Sequence, residues 1–202
     1  MRHAVEPHRA LESGILFTMP FVSRAGQKLE HALTAFDIDL AGRTCADLGS
    51  NVGGFVDCLI QRGAVKVYAI DTGYGTLDWK LRKDARVVVM ERTNAMHVTL
   101  PEPVSLVTID VAWTKQRLIL PAARRLLTID GDVVTLIKPH YEAEPTMLRK
   151  GVLPEENLDA VVEKVKYDIG QTGFELRRTV RSPIKGTGGN VELLAWLRPV
   201  AT

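Results

Sequence analysis

Short apolar runs alternate with helical segments along most of this chain, and this alternation constrains the fold more than any other feature. The runs lie at residues 44–48, 65–70, 86–90, 104–109 and 132–137. Continuous valine- and isoleucine-rich runs of this length, separated by helices, are typical of a parallel sheet that is covered on both faces. Two further runs, at 174–181 and 191–197, have no helix between them. We therefore expect an α/β fold with a mostly parallel seven-stranded sheet, helices on both faces and a C-terminal antiparallel hairpin.

Length and composition favour a single domain. The chain has 202 residues, 46% of them apolar, and a formal net charge of +2, which excludes a disordered or strongly polycationic protein. Two cysteines, Cys45 and Cys58, cannot by themselves form a disulfide framework or a four-ligand zinc site. No apolar run approaches the roughly 20 residues that cross a bilayer, and no signal peptide is recognisable. We expect a cytoplasmic protein without a metal, with residues 21–202 as its domain and residues 1–20 as an extension.

A glycine-rich turn follows the first predicted strand. Segment 47–55 contains Gly49, Gly53 and Gly54, and glycine lets a backbone approach a ligand closely. The spacing matches neither the dinucleotide fingerprint nor the phosphate-binding loop, which argues against ATP. Asp71 stands 22 residues after Gly49, at the end of the next predicted strand. A carboxylate there can accept hydrogen bonds from both ribose hydroxyls of an adenosine group. The alternative is a tight turn with a helix-capping aspartate.

Further polar residues stand at the ends of predicted strands. Asn94 follows the third strand, where it either bonds the edge of an adenine ring or caps the next turn. Asp110 and Lys138 follow adjacent strands, at the edge where open α/β sheets bind ligands, although a charge there can also simply reach solvent. Glu192 lies in an apolar run, where an unpaired carboxylate would be costly. Its expected partner is Lys28, which on its own would be interpreted as a solvated helix residue.

Seven motifs together resemble one enzyme family. They are Ser23-Arg24-Ala25-Gly26-Gln27-Lys28-Leu29, Asp47 to Phe55, Asp71 to Arg82, Glu91-Arg92-Thr93-Asn94, Ile109-Asp110-Val111, Ile137-Lys138-Pro139 and Gly189-Asn190-Val191-Glu192. From about residue 21 to residue 198, the chain is similar to the hemolysin A-type (TlyA-like) branch of the FtsJ-like ribose 2′-O-methyltransferases. The resemblance implies a Rossmann-like fold that uses S-adenosyl-L-methionine. It also implies a catalytic tetrad, formed here by Lys28, Asp110, Lys138 and Glu192.

The chemistry of the reaction suggests a role for each member of the tetrad. A ribose 2′-hydroxyl is a poor nucleophile, and a lysine can deprotonate it where a neighbouring cation and a dry site lower the lysine's pKa. We expect Lys138 to be the base and Lys28 to be the second cation. Asp110 is expected to orient Lys138, and Glu192 to hold Lys28 and the substrate hydroxyl. The expected cofactor-binding residues are Asp47, Gly49, Ser50, Asn51, Gly53, Gly54, Phe55, Asp71, Thr72, Asn94 and Asp110.

A basic stretch precedes Glu192 and points to RNA. Residues 177–191 contain no acid and four basic residues, namely Arg177, Arg178, Arg181 and Lys185. Such clusters bind phosphates without reading sequence, although ordinary solvated arginines would have the same pattern. Tyr141 is expected to stack on a splayed base, whereas His140 is expected to be a hydrogen-bonded loop residue and not a metal ligand. The resemblance implies that ribosomal RNA or a ribosomal subunit is the partner, with cytidine as the target.

The chain also departs from the family pattern. Members of the branch usually carry an N-terminal RNA-binding module, which we expect to be absent here. Ala25 and Ala112-Trp113 stand where the family usually has glycine and Ser-Phe, so the substrate pocket could be retuned. One alternative is a methyltransferase of the same fold that acts on another RNA or on a small molecule. Another is a non-catalytic RNA- or cofactor-binding protein, or a membrane-active, hemolysin-like protein. The intact tetrad argues against a non-catalytic role.

Overall fold

The computed structural model describes residues 20–200, so the predicted extension lies, apart from its last residue, outside the described residues. The strands are β1 (Thr44–Leu48), β2 (Lys66–Ile70), β3 (Val87–Met90), β4 (Val104–Ile109), β5 (Leu127–Ile137), β6 (Phe174–Arg181) and β7 (Leu193–Pro199). The helices are α1 (Ala25–Phe36), α2 (Gly54–Gln61), α3 (Trp79–Arg82), α4 (Gln116–Leu126), α5 (Pro139–Glu142) and α6 (Glu155–Gly170), with 3₁₀ turns at Pro145–Met147 and Thr187–Gly189. None of the helices in the described range is long and apolar enough to cross a membrane.

The strands form one sheet in the order β3-β2-β1-β4-β5-β7-β6. Strands β1 to β5 pair in parallel, whereas β7 is antiparallel to both of its neighbours, β5 and β6. The prediction of a mostly parallel sheet with a C-terminal antiparallel hairpin is therefore confirmed. After β3 the chain returns across β1 to form β4 on the other side, and open α/β sheets bind ligands at such a switch point.

Two element boundaries differ from the prediction in ways that matter. Strand β5 begins at Leu127, directly after α4, and not at residue 132. Its register with β4 shifts between Val104 and Leu106, and its early residues are partly exposed, so this half of the strand gives no apolar run. Strand β7 begins at Leu193, so Glu192 lies just before the strand and not inside it as predicted. The Glu192 carbonyl still accepts a hydrogen bond from the Ser182 amide at 2.9 Å.

Apolar layers cover both faces of the sheet. Helices α1 and α2 pack on one face through residues such as Leu29 and Leu59, and α4 and α6 pack on the other through residues such as Leu120 and Val165. Successive residues of each strand point to opposite faces, which is why the central strands β1, β2 and β4 are buried along nearly their whole length. Cys45 and Cys58 are buried free thiols within the first layer, and burial raises the pKa of Cys45 to about 12.

Candidate active site

The predicted catalytic residues meet at the carboxyl edge of the sheet. A cavity of about 340 Å³ lies beside the ends of β1, β4 and β5 and the start of β7. Its walls include all four members of the predicted tetrad, Lys28, Asp110, Lys138 and Glu192. Residues as distant in sequence as Lys28 and Glu192 meet here because α1 packs beside the hairpin that β7 forms with β6.

Lys138 and Asp110 form the first of two ion pairs in this cavity. Both residues directly follow strands, β5 and β4, which are parallel neighbours. Pro139 begins helix α5 immediately after Lys138 and ends the strand. The Lys138 Nζ atom lies 2.6 Å from Asp110 Oδ1 and donates a hydrogen bond to the Val111 carbonyl at 3.1 Å. Two acceptors thus fix the position of the Lys138 amine.

Lys28 and Glu192 form the second ion pair. Lys28 lies in the first turns of α1, and its Nζ atom is 2.5 Å from Glu192 Oε2. Both side chains are more than nine-tenths buried, and breaking such a buried pair leaves an uncompensated charge. A side chain on Gly186 would overlap the Glu192 carboxylate, so glycine at this position lets the carboxylate reach Lys28.

The glycine turn brings three segments of backbone together. Gly49 has a φ of +91°, and a Cβ there would lie 2.6 Å from the Asp110 carbonyl oxygen. A Cβ on Gly54 would overlap the Ser23 hydroxyl, so this glycine lets α2 approach the start of α1. Gly53 has a φ of +101°, and a Cβ there would overlap the Leu81 side chain. It lines neither cavity at the sheet edge, and its contact with a cofactor stays a prediction.

Asp47 is a buried carboxyl with an incomplete set of partners. The Thr108 hydroxyl donates to its Oδ1 at 2.6 Å, but Oδ2 has no hydrogen-bond partner within residues 20–200. Burial raises the pKa of Asp47 to about 7. The residue lines the cavity of the tetrad, and an ammonium group of a ligand would satisfy the unpaired oxygen. The methionine part of S-adenosyl-L-methionine carries such a group, so this end of the cavity fits the predicted cofactor.

A second cavity, of about 420 Å³, continues from the first towards β2. The two share Gly49, Asn51, Asp110 and Ala112 as wall residues. The predicted adenosine contacts Asp71, Thr72 and Asn94 line this second cavity, whereas Ser50 and Phe55 line the first. Together the cavities offer an elongated site for a cofactor with a methionine end and an adenosine end.

Asp71 and Asn94 also stabilise their own turns. The Asp71 carboxylate accepts hydrogen bonds from the amides of Asn51 at 2.9 Å and Gly73 at 2.7 Å. Asn94 Oδ1 accepts one from the Met96 amide at 2.9 Å, which is the turn-capping role that the sequence left open. Each residue therefore shapes the cavity wall as well as lining it, and contact with a cofactor stays a prediction for both.

Comparison with known proteins assigns the family. The model of the family described as FtsJ-like methyltransferase matches residues 21–199. The chain belongs to the FtsJ-like methyltransferase family. It is 41% identical over 187 residues to YqxC of Bacillus subtilis. The matched region covers 88% of this chain and 65% of YqxC. It is 40% identical over 207 residues to the 16S/23S rRNA (cytidine-2′-O)-methyltransferase TlyA of Mycobacterium tuberculosis, covering 96% of this chain and 77% of TlyA.

Solved structures agree with the family assignment. A hemolysin-named protein of Streptococcus thermophilus has a TM-score of 0.88 at 37% identity, over 92% of this chain and 69% of that one. An S-adenosylmethionine-dependent methyltransferase from Listeria monocytogenes has a TM-score of 0.64 at 17% identity, over 89% of this chain and all of that one, and shares the fold alone. The predicted family, the Rossmann-like methyltransferase fold, the enzyme class and the cofactor S-adenosyl-L-methionine are therefore confirmed. The domain boundary at residue 21 stays a prediction.

In this FtsJ-like methyltransferase, acidic neighbours from outside the basic stretch pair with two of its arginines. Arg177 pairs with Glu175 and Arg181 pairs with Glu155, each at 2.8 Å. Arg178 lies over the Phe36 ring at 5.9 Å. Lys185 is exposed and forms no ion pair with any residue from 20 to 200, and Gly186, the next residue, lines the tetrad cavity. RNA binding by these residues stays a prediction, with Lys185 best placed for it.

Aromatic residues stand at the border between the two cavities. Tyr141 lines the first cavity and Trp113 lines the second, with their ring centroids 6.1 Å apart. Trp113 is 78% exposed and has a φ of +56°, which is a strained conformation for a bulky residue. Trp113 is not among the predicted site residues. The available sequence signal is that Trp113 stands where the family usually has phenylalanine.

His140 differs from its predicted role. The sequence predicts a hydrogen-bonded loop residue, but His140 lies in α5, lines the tetrad cavity and has an Nδ1 atom without a partner in residues 20–200. Its position directly after Lys138-Pro139 was the available signal for a site residue. The lack of a hydrogen-bond partner depends on the surrounding fold.

Proposed function

We propose that this protein transfers the methyl group of S-adenosyl-L-methionine to the 2′-oxygen of a ribose in ribosomal RNA, with cytidine as the target nucleotide. The observation that carries the proposal is the meeting of two lysine–carboxylate pairs in one cavity beside the glycine turn. The Mycobacterium tuberculosis relative, at 40% identity, is named for cytidine 2′-O-methylation of 16S and 23S rRNA. Because ribosomal RNA is the proposed substrate, the proposed place of action is the cytoplasm.

In the proposed arrangement the cofactor lies across both cavities. Asp47 would hold the methionine ammonium through its unpaired oxygen, and Asp71 and Asn94 would hold the adenosine. When bound, the cofactor supplies an electrophilic methyl group on a sulfonium. Asp110 lines both cavities, so it would lie beside the methionine part of the cofactor while it holds Lys138.

The chain's own residues then activate and position the acceptor. Lys138 would accept the proton of the 2′-hydroxyl after its own ammonium proton has left to solvent, as the hydroxyl oxygen takes the methyl group of the cofactor and the carbon–sulfur bond breaks. Asp110 and the Val111 carbonyl hold the Lys138 Nζ atom in place for this transfer. Lys28, fixed by Glu192, adds positive charge close to the oxygen as it becomes negative. Holding the hydroxyl in line with the methyl group supplies much of the acceleration, because the donor is already activated.

Lys138→Ala tests the assignment of the base. We expect the rate of methyl transfer to fall by more than about 1,000-fold, because the variant lacks both the proton acceptor and its contact with the 2′-hydroxyl. Affinity for S-adenosyl-L-methionine should stay within a few-fold. Lys164→Ala is the matched control, because Lys164 also forms an ion pair but is exposed on α6. Wild-type turnover by Lys138→Ala would disprove the assignment.

The substrate is tested with labelled cofactor. The protein is incubated with ribosomal subunits, with deproteinised ribosomal RNA and with a pool of small RNAs, and the methylated nucleotide is mapped. We expect a 2′-O-methylcytidine in 16S or 23S RNA. A methyl group on a base would mean that the fold carries a different methyltransferase activity. The absence of ribose methylation in every RNA would overturn the proposal.

A further inference from the structure

His140 stands between two residues of the proposed site and has no task in the proposed mechanism. It lies in α5, between Lys138-Pro139 and Tyr141, and lines the cavity of the tetrad. Only 7% of the residue is exposed. Its ring centroid is 4.1 Å from that of Tyr141.

The Nδ1 atom of His140 has no hydrogen-bond partner within the described residues. Among the buried side-chain nitrogen and oxygen atoms of residues 20–200, one other atom shares this condition, Oδ2 of Asp47. Both residues line the same cavity. Buried polar groups are normally paired in folded proteins, so two unpaired atoms at one cavity indicate partners that arrive with ligands. The cofactor's ammonium accounts for Asp47, which leaves His140 without an assigned ligand.

The fold does not need the polar atoms of His140 to hold helix α5. Glu142 Oε1 accepts a hydrogen bond from the Gln116 amide at 2.7 Å, and Lys115 Nζ donates to the Glu142 carbonyl at 3.2 Å. These contacts fasten the end of α5 to the start of α4. An unpaired imidazole nitrogen beside them adds no anchor and only carries a cost of burial.

The location of His140 favours the methyl acceptor, and not the nucleoside of the cofactor, as the ligand of its Nδ1 atom. It lines the first cavity, together with Tyr141, Gly186 and Thr187, and does not line the second cavity, which fits adenosine. Burial, and then the charge of Lys138, lowers the pKa of His140. At pH 7 its imidazole is therefore neutral, with one donor and one acceptor nitrogen, which suits a hydroxyl or amino group of a nucleotide.

We propose that His140 binds the target nucleotide of the RNA through a hydrogen bond at Nδ1. This inference rests on the proposed function, since it takes the second ligand of the cavity to be RNA. Because Nδ1 is buried in the structure, binding requires the imidazole ring to turn about its Cβ–Cγ bond so that Nδ1 reaches the nucleotide.

The test compares three variants with the wild-type protein. His140→Phe keeps a ring and removes both nitrogens, whereas His140→Asn keeps a polar group close to the Nδ1 position. His31→Phe is the matched control, because His31 is exposed on α1 and lies outside the tetrad cavity. Binding of ribosomal RNA is measured in the presence of S-adenosylhomocysteine, and cofactor binding is measured without RNA.

We expect His140→Phe to weaken RNA binding about tenfold, the size of one lost hydrogen bond, and to leave cofactor affinity within twofold. His140→Asn should recover most of the RNA affinity, and His31→Phe should match the wild-type protein. Unchanged RNA affinity in His140→Phe would overturn the inference, as would an equal loss of cofactor affinity. Because binding is measured without turnover, a wild-type protein that methylates no RNA contradicts the proposed function separately.

A measurement on the wild-type chain covers the case in which His140→Phe does not fold. With 15N-labelled histidine, the Nδ1 resonance of His140 should move when ribosomal RNA is added and stay in place when S-adenosylhomocysteine alone is added. A resonance that does not respond to RNA would overturn the inference.

Discussion

Two buried aspartates of the same sheet have opposite surroundings. Asp132, in β5, accepts hydrogen bonds from Arg43 at 2.8 Å, Trp196 at 2.8 Å and Arg198 at 2.9 Å. Asp47, in β1, accepts one from the Thr108 hydroxyl, and its second oxygen has no partner within residues 20–200. Neither residue is more than 1% exposed. The two carboxylates are equally buried, but Asp132, away from the cavity, has partners for both oxygens, whereas Asp47, beside the cavity, has a partner for one.

The difference in partners sets the direction of each pKa. At Asp132 burial favours the neutral form, but the hydrogen bonds from Arg198, Arg43 and Trp196 outweigh it and lower the pKa. At Asp47 burial is opposed by one hydroxyl only, and the pKa rises to about 7. A buried carboxylate with three donors stabilises the fold, whereas one that lacks donors costs stability until a ligand supplies them.

The largest expected effect is the loss of the Asp132 network. Asp132→Ala leaves an indole and two partly exposed arginines without their common acceptor, so we expect the free energy of unfolding to fall by about 2–3 kcal/mol. Urea denaturation measures this change. Asp130→Ala, at an exposed position two residues earlier in β5, is the control and should change stability by less than about 0.5 kcal/mol. Equal stability of the two variants would remove the contrast between the two aspartates.

The second expected effect concerns the cofactor. Asp47→Asn should weaken binding of S-adenosyl-L-methionine about 10- to 100-fold, because the ammonium loses a charged acceptor in a buried site. Isothermal titration at pH 8 measures the affinity, and Asp130→Asn provides the control. Cofactor affinity within twofold of the wild-type value would mean that Asp47 does not hold the ammonium.

The third expected effect is a gain in stability in the same variant. The pKa of Asp47 is about 7 in the folded protein and about 4 in the unfolded chain. The wild-type protein therefore loses stability as pH rises between these values and bears the full cost above pH 7. Without cofactor, Asp47→Asn should be more stable than the wild-type protein by about 2 kcal/mol at pH 8, with the gain shrinking towards pH 4. Thermal denaturation across this range measures it. A gain that grew on acidification would contradict the assigned pKa.

The smallest expected effect is an acid-dependent loss at Asp132. Because the pKa of Asp132 is lower in the folded protein than in the unfolded chain, its stabilisation is fully present above about pH 4 and is lost as pH falls through the folded value. The difference in unfolding free energy between the wild-type protein and Asp132→Asn should therefore be constant from pH 5 to pH 7 and decrease below pH 4. A difference that persists unchanged in acid would show that Asp132 acts through packing and not through its charge.

Local sequence patterns predicted most of the fold because they depend on near neighbours. The apolar runs of β1 and β4 have the predicted bounds, and the hairpin followed from the missing helix. The early part of β5 did not follow, since its partly exposed residues and shifted register against β4 give no continuous apolar run. The start of β7 was also not predictable. An apolar run includes Glu192 but does not mark the residue at which strand pairing begins, which is Leu193.

The site shows the same distinction between features that follow from local sequence and features that follow from the tertiary structure. The alternation of runs, the glycine turn and the motif resemblance determined the fold class and the family, and they predict the four residues of the tetrad. Tertiary structure alone decided that Glu175 and Glu155 accompany Arg177 and Arg181 in an acid-free stretch of sequence. It also decided that Gly53 packs against Leu81 and that Asp47 Oδ2 and His140 Nδ1 have no hydrogen-bond partner within residues 20–200. Periodicity is a property of adjacent residues, whereas charge pairing and hydrogen-bond satisfaction depend on groups that can stand 164 positions apart, as Lys28 and Glu192 do.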